Sequence, residues 1–425
     1  MLIEFTFSNF KSFKNEVTLD MSASKITELP HHVRKVGKES ILPVAAIYGA
    51  NASGKSNVFQ AFYFMSRFVA RSFEFGGDNP KDRKNRVSVK PFLFDRDSRN
   101  LPSTFEVLFI IDEGKRAVTY QYGFSIIDNQ IVEEWLFSKA KTSKDYKEIF
   151  YREGNQLQAE HLNKKSAELL NAALTSETLV VSLGARLKIK ELALVRDWFM
   201  DNEMIDFGNP AENFYRSFVL PERFVSHKSA QDEMVDYIGF FDDSITGFHL
   251  ENIPNLENPD DEDYSLESQH KRRGTDENVL IPFSEESSGT QKMFCLYHPM
   301  RAALNKGSVF MVDELNARLH PLLMRNLILT FTNEETNPHN AQLIFTTHDV
   351  FQFSNEMLRR DEIWITEKDK EESSSLYSVS EFKTSDGRKS RKGEALARHY
   401  LTGEYGGVPN ISSIKIVSGE NSHER

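Results

Sequence analysis

The sequence predicts an α/β fold in which a glycine-rich loop joins a buried strand to a helix. Gly49–Ser56 fits the phosphate-loop pattern G-x-x-x-x-G-K-[ST] at every fixed position, and the apolar run Ile41–Tyr48 leads into it. Two later apolar runs, Val309–Val312 and Leu343–Phe345, are followed by acids and by a histidine, as expected of buried strands that deliver polar side chains. Behind the loop, apolar residues recur at helical spacing: Val58, Phe59, Ala61, Phe62, Phe64, Met65, Phe68 and Val69.

The residue types of this phosphate loop fit the binding of a nucleoside triphosphate. Glycines let backbone amides curl around phosphate oxygens, and the helix that begins near Lys55 directs its positive end at the same anion. The Lys55 ammonium can reach the β- and γ-phosphates, and the Ser56 hydroxyl can hold Mg²⁺. The alternative is a glycine turn that matches by chance. The predicted nucleotide-binding residues are Gly49, Asn51, Ala52, Ser53, Gly54, Lys55, Ser56 and Asn57.

The length and composition of the chain limit the classes of protein to which it can belong. The 425 residues, 39% hydrophobic and 27% charged, suffice for two or three domains or for one domain with a large insertion. No apolar run reaches the roughly 18 residues of a membrane span, the N-terminus does not resemble a signal peptide, and the single Cys295 excludes a disulfide framework. We therefore expect a cytoplasmic protein without a membrane partner. The net charge of −11 argues against a DNA-coating surface, so nucleic acid is possible but not indicated.

Residues 1–152 are predicted to hold the phosphate loop and a layer of antiparallel strands. Thr104–Ile111, Ala117–Ile127 and Gln130–Lys139 are rich in β-branched and aromatic residues, with turn residues between them. Before the loop, two short strands flank Lys11. This lysine either lies near a bound nucleotide or is an ordinary surface lysine.

Residues 153–275 are predicted to form a mostly helical insertion between two halves of one domain. Ala159–Leu174, Leu187–Met200 and Asp232–Phe241 carry apolar residues at three- and four-residue spacing. Asn255–Arg273 is polar and charged, which predicts a solvated loop.

Residues 276–425 are predicted to form the second half of that domain and hold further candidate site residues. Ser287–Gly289 opens a helix and is either a second anion site or only a good helix cap. At the end of its strand, Asp313 can hold Mg²⁺ through water, and Glu314 can take a proton from an attacking water. Adjacent strand residues point to opposite sides, so separate roles are expected, although an ordinary polar strand end is the alternative. His348 either bonds a γ-phosphate or is structural.

The order of these elements resembles that of ABC-type ATPase heads. The chain is similar to the SMC-like branch of ABC ATPases and, more closely, to the AAA-type ATP-binding proteins of bacterial abortive-infection systems (AbiL/RloA type). This resemblance implies a P-loop NTPase fold, with an ABC-type ATPase head, an antiparallel β layer and a mostly helical insertion. The segments that carry it are Gly49–Asn57, Pro102–Glu106, Glu286–Gln291, Asp313–Leu315, Leu319–Pro321, Thr347–His348 and Tyr405–Asn410.

The resemblance also implies a role for each matching residue around the nucleotide. Lys55 and Ser56 would bind ATP and Mg²⁺, and Asp313 would be the acid on the Mg²⁺ side. Glu314 would be the catalytic base, and His348 would be the switch histidine that senses the γ-phosphate.

A second copy of the chain is the partner that the resemblance implies. Ser287 and Gly289 of one subunit would touch the γ-phosphate held by the other, so that a homodimer or larger homo-oligomer sandwiches its ATP molecules. The chain departs from the ABC pattern at Ser288, where glycine is usual, and at Asn316–Arg318, where acidic and serine residues are usual. The glutamine of the Q-loop stays unassigned between two candidates, Gln121 and Gln130.

Two functions compete on these grounds. The first is a slow ATPase that acts as a nucleotide-gated sensor or scaffold and controls a separately encoded toxin or nuclease in anti-phage defence. The resemblance favours it, and the residues after His348 show no acidic cluster with the spacing of a nuclease metal site. The second is a DNA-repair or DNA-clamping ATPase of the recombination branch, which predicts tight, salt-sensitive DNA binding. The acidic balance and the lack of coiled-coil heptads count against it.

Overall fold

A computed structural model describes residues 1–75, 88–112, 117–209, 220–254, 262–382 and 395–409. Asn410 and the first part of the predicted loop, residues 255–261, lie outside this part of the chain. The strands are β1 (Leu2–Ser8), β2 (Val17–Asp20), β3 (Arg34–Val36), β4 (Glu39–Ile41), β5 (Val44–Gly49), β6 (Ser103–Asp112), β7 (Ala117–Ile127), β8 (Gln130–Ala140), β9 (Lys147–Glu153), β10 (Gln156–Gln158), β11 (Glu203–Asp206), β12 (Ile245–Pro254), β13 (Glu262–Lys271), β14 (Asn278–Pro282), β15 (Val309–Asp313), β16 (Gln342–Thr346), β17 (Ile363–Lys368) and β18 (Ser374–Ser378). The helices are α1 (Lys55–Arg71), α2 (Lys164–Ala173), α3 (Val180–Arg186), α4 (Lys190–Asp201), α5 (Glu222–Ser226), α6 (Lys228–Gly239), α7 (Ser288–Lys306), α8 (Pro321–Thr332) and α9 (Leu396–Leu401).

A six-stranded central sheet positions the site. Its strand order is β11-β15-β16-β5-β17-β18. Every neighbouring pair is parallel except the pair β17–β18, which is antiparallel. The carboxyl ends of the parallel strands therefore meet at one edge, where Gly49, Asp206, Asp313 and Thr346 are the last strand residues. Ligands of open α/β sheets bind outside such an edge.

Both faces of the central sheet are covered, which explains its continuous apolar strands. On β5, Ala45 and Ile47 join the core formed with α1 and the antiparallel layer. Val44, Ala46 and Tyr48 join a second core formed with α7 and α8 on the opposite face. The alternation of adjacent residues between two cores buries every residue of this strand.

The antiparallel layer is a seven-stranded sheet with the order β10-β9-β8-β7-β6-β1-β2. Aromatic rings bind it to the helices beneath. The rings of Phe5 and Phe62 meet edge to face at 5.2 Å between centroids, and those of Phe109 and Trp198 stack at 4.2 Å. Pairs of this kind contribute about 0.5–1.5 kcal/mol each beyond their buried area. The core that supports α1 thus contains more phenylalanines than the core on the opposite face of the central sheet.

The predicted α/β fold with an antiparallel layer is confirmed, and one local prediction is wrong. Asn255–Arg273 was predicted to be a loop, but its residues Glu262–Lys271 form strand β13. This strand pairs with β12 on one side and with β14 on the other. Its polar sequence reflects a strand with partly exposed faces, although Ser268 is fully buried. Residues 153–275 also supply β11 to the central sheet. The three segment boundaries proposed from the sequence remain predictions. No helix in the described ranges is long and apolar enough to cross a membrane.

Candidate functional site

The phosphate loop needs its two glycines because other backbone and side-chain atoms approach them closely. A Cβ atom on Gly49 would lie 2.4 Å from Thr366 Oγ1 and 2.5 Å from the Thr366 carbonyl oxygen. Gly54 has a φ of 115° and begins α1, and a Cβ atom there would lie 2.7 Å from Ser374 Oγ. Ala52 adopts a φ of 62° without being glycine. Close contacts with Thr366 and Ser374 therefore restrict the backbone of the loop to one conformation.

The Lys55 ammonium lies inside the loop. Its Nζ donates hydrogen bonds to the carbonyl oxygens of Gly49 and Ala50, both at 3.0 Å. Burial lowers the pKa of Lys55 to about 8, while the charges of Glu314 and Asp313 oppose this shift. The lysine is thus a desolvated cation whose present partners are only neutral carbonyl groups, so that an anion would be a stronger partner.

Side chains from distant strands support the loop. The Ser53 and Thr366 hydroxyls lie 2.6 Å apart, which ties the loop to β17. Asn57 Nδ2 donates to Ser12 Oγ at 2.7 Å, and Ser374 Oγ donates to the same oxygen at 2.7 Å. The N-terminal segment and β18 therefore brace the first turn of α1.

Asp313 and Ser56 lie together beneath the loop. The Thr346 hydroxyl donates to Asp313 Oδ1, and Ser56 also hydrogen-bonds this buried carboxylate. Burial raises the pKa of Asp313, while both hydrogen bonds and the Lys55 charge oppose the rise. A hydroxyl and a carboxylate beside a phosphate site are the oxygen ligands that Mg²⁺ prefers.

Glu314 and His348 face each other above Asp313. Glu314 has a φ of 56°, and its amide donates to Thr346 Oγ1 at 2.8 Å. His348 Nε2 lies 3.7 Å from Glu314 Oε1. Burial and then the Lys55 charge lower the pKa of His348, against the opposing charges of Glu314 and Asp313. The imidazole is therefore mostly neutral near pH 7, and a neutral imidazole has one N–H donor.

A cavity of about 640 Å³ opens above the loop. The predicted residues that line it are Asn51, Ala52, Gly54, Lys55, Ser56, Asn57, Glu314 and His348. Gly49, Ser53 and Asp313 are not part of its lining and instead support it from below.

Most of the remaining cavity lining was not predicted. Lys11 is part of this lining, which favours the first of the two alternatives for this residue, and Lys90 and Lys368 are part of it as well. Leu93 and Phe94 also line the cavity, with 66% and 62% of their surfaces exposed. No motif marks these residues; the signal in the sequence is the short apolar run Phe92–Phe94 in a polar stretch.

A third acid, Asp206, was also missed. Strand β11 pairs with β15 so that Asp206 lies opposite Asp313. A Cβ atom on Gly208 would lie 3.1 Å from Asp206 Oδ1, 3.5 Å from Asp313 Oδ2 and 3.4 Å from Glu314 Cγ, so the three acids surround one point. Across the described ranges, however, no group of three or more His, Cys, Asp and Glu side chains has the geometry to hold a metal by itself.

The signature segment, Ser287–Gly289, is not brought to this cavity. Ser287 Oγ accepts a hydrogen bond from the Thr290 amide at 3.1 Å and caps α7. Ser287 is exposed, and a Cβ atom on Gly289 would meet the Arg318 carbonyl oxygen at 3.4 Å. The two glutamines considered for the Q-loop lie on strands of the antiparallel sheet, away from the cavity lining: Gln121 and Gln130.

Comparison with known proteins assigns most of this chain to one family. Residues 44–351 match the family model described as "AAA domain, putative AbiEii toxin, Type IV TA system", a range that includes the phosphate loop, the signature segment and His348. No curated protein sequence matches the chain. A similar solved structure is that of an SMC head bound to the C-winged helix domain of ScpA. It shares 14% identity with a TM-score of 0.38 and covers 89% of this chain and 97% of that chain.

Proposed function

The chain belongs to the AAA-domain family whose description names the AbiEii toxin of type IV TA systems, and on that premise we propose that it is a slow ATPase. Its nucleotide state controls a separately encoded effector in anti-phage defence. The observation that carries the ATPase assignment is the convergence of Lys55, Asp313, Glu314 and His348 from three segments of the chain at and just beneath one cavity.

The triphosphate binds with its β- and γ-phosphates at Lys55. Phosphate oxygens replace the Gly49 and Ala50 carbonyls as partners of the ammonium, and charge-assisted hydrogen bonds of this kind are shorter and stronger than those to neutral acceptors. Backbone amides at the start of α1 add to the same anion site. The cavity of about 640 Å³ lies within the range of ligand pockets and leaves room for a nucleoside.

Ser56 and Asp313 would hold the Mg²⁺ that accompanies ATP. The cation would supply positive charge against the negative charge that develops on the transferred phosphoryl group. Glu314 accepts a proton from the attacking water, because its side chain lines the cavity whereas Asp313 lies beneath the lining. Neutral His348 donates from its ring nitrogen to the γ-phosphate and lies close enough to Glu314 to orient that carboxylate.

A second copy completes the site. Ser287 and Gly289 lie outside the cavity of their own chain, and Ser287 is exposed at the N-terminus of the 19-residue helix α7. Donors at a helix N-terminus suit a phosphate. ATP therefore joins two chains by bonding to the loop of one and the signature segment of the other, and hydrolysis releases them.

The effector is proposed from the family rather than from this site. Within the family we assign the chain to the AbiL/RloA type, as a cytoplasmic component that restrains or delivers a toxin or nuclease. The word "toxin" in the family description favours a second candidate, in which this chain is itself the toxic component.

The test combines purified protein with expression in bacteria. We expect the full chain to hydrolyse ATP slowly with Mg²⁺, the Lys55→Ala variant to be inactive, and Lys306→Ala to match the wild type, because Lys306 is an exposed partner of Asp201. We expect growth arrest only when the neighbouring gene is co-expressed. Arrest by this chain alone would support the second candidate. Nucleic-acid cleavage by the isolated chain that Lys55→Ala leaves intact would contradict an ATP-gated role.

A further inference from the structure

Lys292 is a buried lysine that lies outside the nucleotide cavity. It is on α7, one helical turn after Ser288, and only 6% of its surface is exposed. Its Nζ donates to three carbonyl oxygens of the segment after β15: Glu314 at 3.1 Å, Leu315 at 2.8 Å and Ala317 at 2.7 Å. An ammonium group has three hydrogens, so its donors are fully used.

An aromatic ring and three carbonyl groups surround the Lys292 ammonium. The Phe207 ring lies 3.9 Å from Nζ, measured to the centroid, and closes the fourth side. Burial lowers the pKa of Lys292 to about 7, with the Glu314 charge opposing the shift and the Arg318 charge adding to it. Burying a lysine this far is unfavourable unless its hydrogen bonds compensate, so the three carbonyl groups and the lysine fix each other.

The clamped segment carries the catalytic base. Glu314 has a left-handed φ of 56°, which is strained for a residue with a side chain. Lys292 bonds its carbonyl oxygen while Thr346 accepts from its amide. Both backbone polar groups of the residue are thereby held, which fixes the direction in which its side chain leaves the backbone.

We propose that Lys292 is a positioning residue that couples the signature segment of a chain to the catalytic base of the same chain. This inference rests on the proposed function, in which the signature segment meets the nucleotide of a second copy. One turn of helix α7 joins Ser288 to Lys292, and the Gln291 amide donates to the Ser287 carbonyl oxygen across it. A shift of the signature segment on engaging the partner's phosphate therefore moves the three carbonyl groups and reorients Glu314. Each of the two sites in a dimer senses the occupancy of the other in this way.

The test compares two variants of Lys292. Lys292→Met keeps an unbranched side chain in the buried position but has no hydrogen-bond donor. Lys292→Arg keeps hydrogen-bond donors. Lys306→Met on the exposed part of the same helix is the control. We expect Lys292→Met to lower kcat about tenfold while KM for ATP stays within about twofold, because the phosphate loop is untouched. Lys292→Arg recovers part of the loss, since a guanidinium can still donate to several carbonyl groups.

Hydrogen exchange on the nucleotide-free chain separates positioning from general stabilisation. The amides of Leu315 and Ala317 donate to backbone carbonyls, and that of Thr290 donates to Ser287 Oγ, so all three are protected. We expect Lys292→Met to speed exchange at both segments together and to leave α1 unchanged. Unchanged exchange, faster exchange at one segment only, or faster exchange throughout the chain would each overturn the proposal. This readout decides the role of Lys292 even if the wild-type chain hydrolyses no ATP, a result that would instead contradict the proposed function.

Discussion

His348 and Glu314 face each other at the mouth of the phosphate loop, with 3.7 Å between Nε2 and Oε1. Each side chain is about one-third exposed, at 34% and 33%, on the side of the cavity. Because burial lowers the pKa of His348, the pair is a neutral imidazole beside a carboxylate rather than a salt bridge. A neutral donor next to a base suits the recognition of a γ-phosphate and of the water that attacks it.

Replacing the base should separate nucleotide binding from hydrolysis. We expect Glu314→Gln to lower kcat by about 10²–10⁴-fold, the range for a lost general base, while ATP still binds through Lys55. The trapped ATP should then increase the mass of the particle, measured by light scattering with ATP and Mg²⁺. Lys55→Ala is the control and should show no nucleotide-dependent change. A Glu314→Gln protein with unchanged mass would contradict the two-chain site.

Proton uptake should accompany ATP binding above neutral pH. With a pKa of about 8 in the free chain, Lys55 is mostly neutral at about pH 8.5 and mostly charged at about pH 7. A bound polyphosphate favours the charged form and raises that pKa, so binding takes up a proton at the higher pH. Calorimetry in buffers of different ionisation enthalpy measures this uptake.

The affinity for ATP should correspondingly weaken as the pH rises above 8. The Lys368→Met variant, which alters the cavity wall but keeps Lys55, should show the same proton uptake. Binding heats that do not depend on the buffer at the higher pH would contradict the lowered pKa of Lys55 in the free chain.

Phe94 should contribute to binding the nucleoside. Its ring is 62% exposed on the cavity wall, with Lys368 Nζ 5.6 Å from the centroid. Stacking of a base on an aromatic ring contributes about 1–3 kcal/mol, so Phe94→Ala should weaken ATP binding roughly 5- to 150-fold. Affinity for inorganic triphosphate should not change. The exposed Tyr146, outside the cavity, provides the control Tyr146→Ala, and equal losses for ATP and triphosphate would refute a stacking role.

Arg152 should matter for stability rather than for the site. It is fully buried, lies 3.7 Å from the buried Glu134, and donates to the carbonyl oxygens of Thr175 and Thr178. Arg152→Met leaves Glu134 buried without its cation, which typically destabilises by about 3–5 kcal/mol. Chemical denaturation measures the difference. Lys139→Met on the same sheet is a partly exposed control, and a loss below about 1 kcal/mol for Arg152→Met would show that water reaches Glu134.

The phosphate loop, Asp313, Glu314 and His348 could be found in the sequence because each is a short motif at the end of an apolar run. The chemistry of phosphate dictates those residue types, whatever packs around them. Their convergence also follows, since parallel strands end at one edge of the sheet. Their roles in catalysis remain predictions, as do those of Ser287 and Gly289.

The positions of Asp206, Lys292 and Phe94 depend on tertiary packing, which no local sequence pattern encodes. Strand β11 has four residues and two acids, and only its register with β15 makes Asp206 a neighbour of Asp313. Lys292 looks like an ordinary polar position of a helix, and its burial arises from the loop folded over it. Phe94 is separated from Lys55 by about forty residues without a motif. The surroundings of such residues can be identified only from the three-dimensional structure.

Ser374 donates to Ser12, and these two residues are separated by 362 positions in the chain. During synthesis, the glycine loop thus leaves the ribosome long before the strands that brace it. A nascent or prematurely terminated polypeptide that lacks β17 and β18 would display the loop without Thr366 or Ser374 around it. Such fragments should bind ATP more weakly than the full chain, so we expect an unfinished product to stay out of the proposed ATP-bound state.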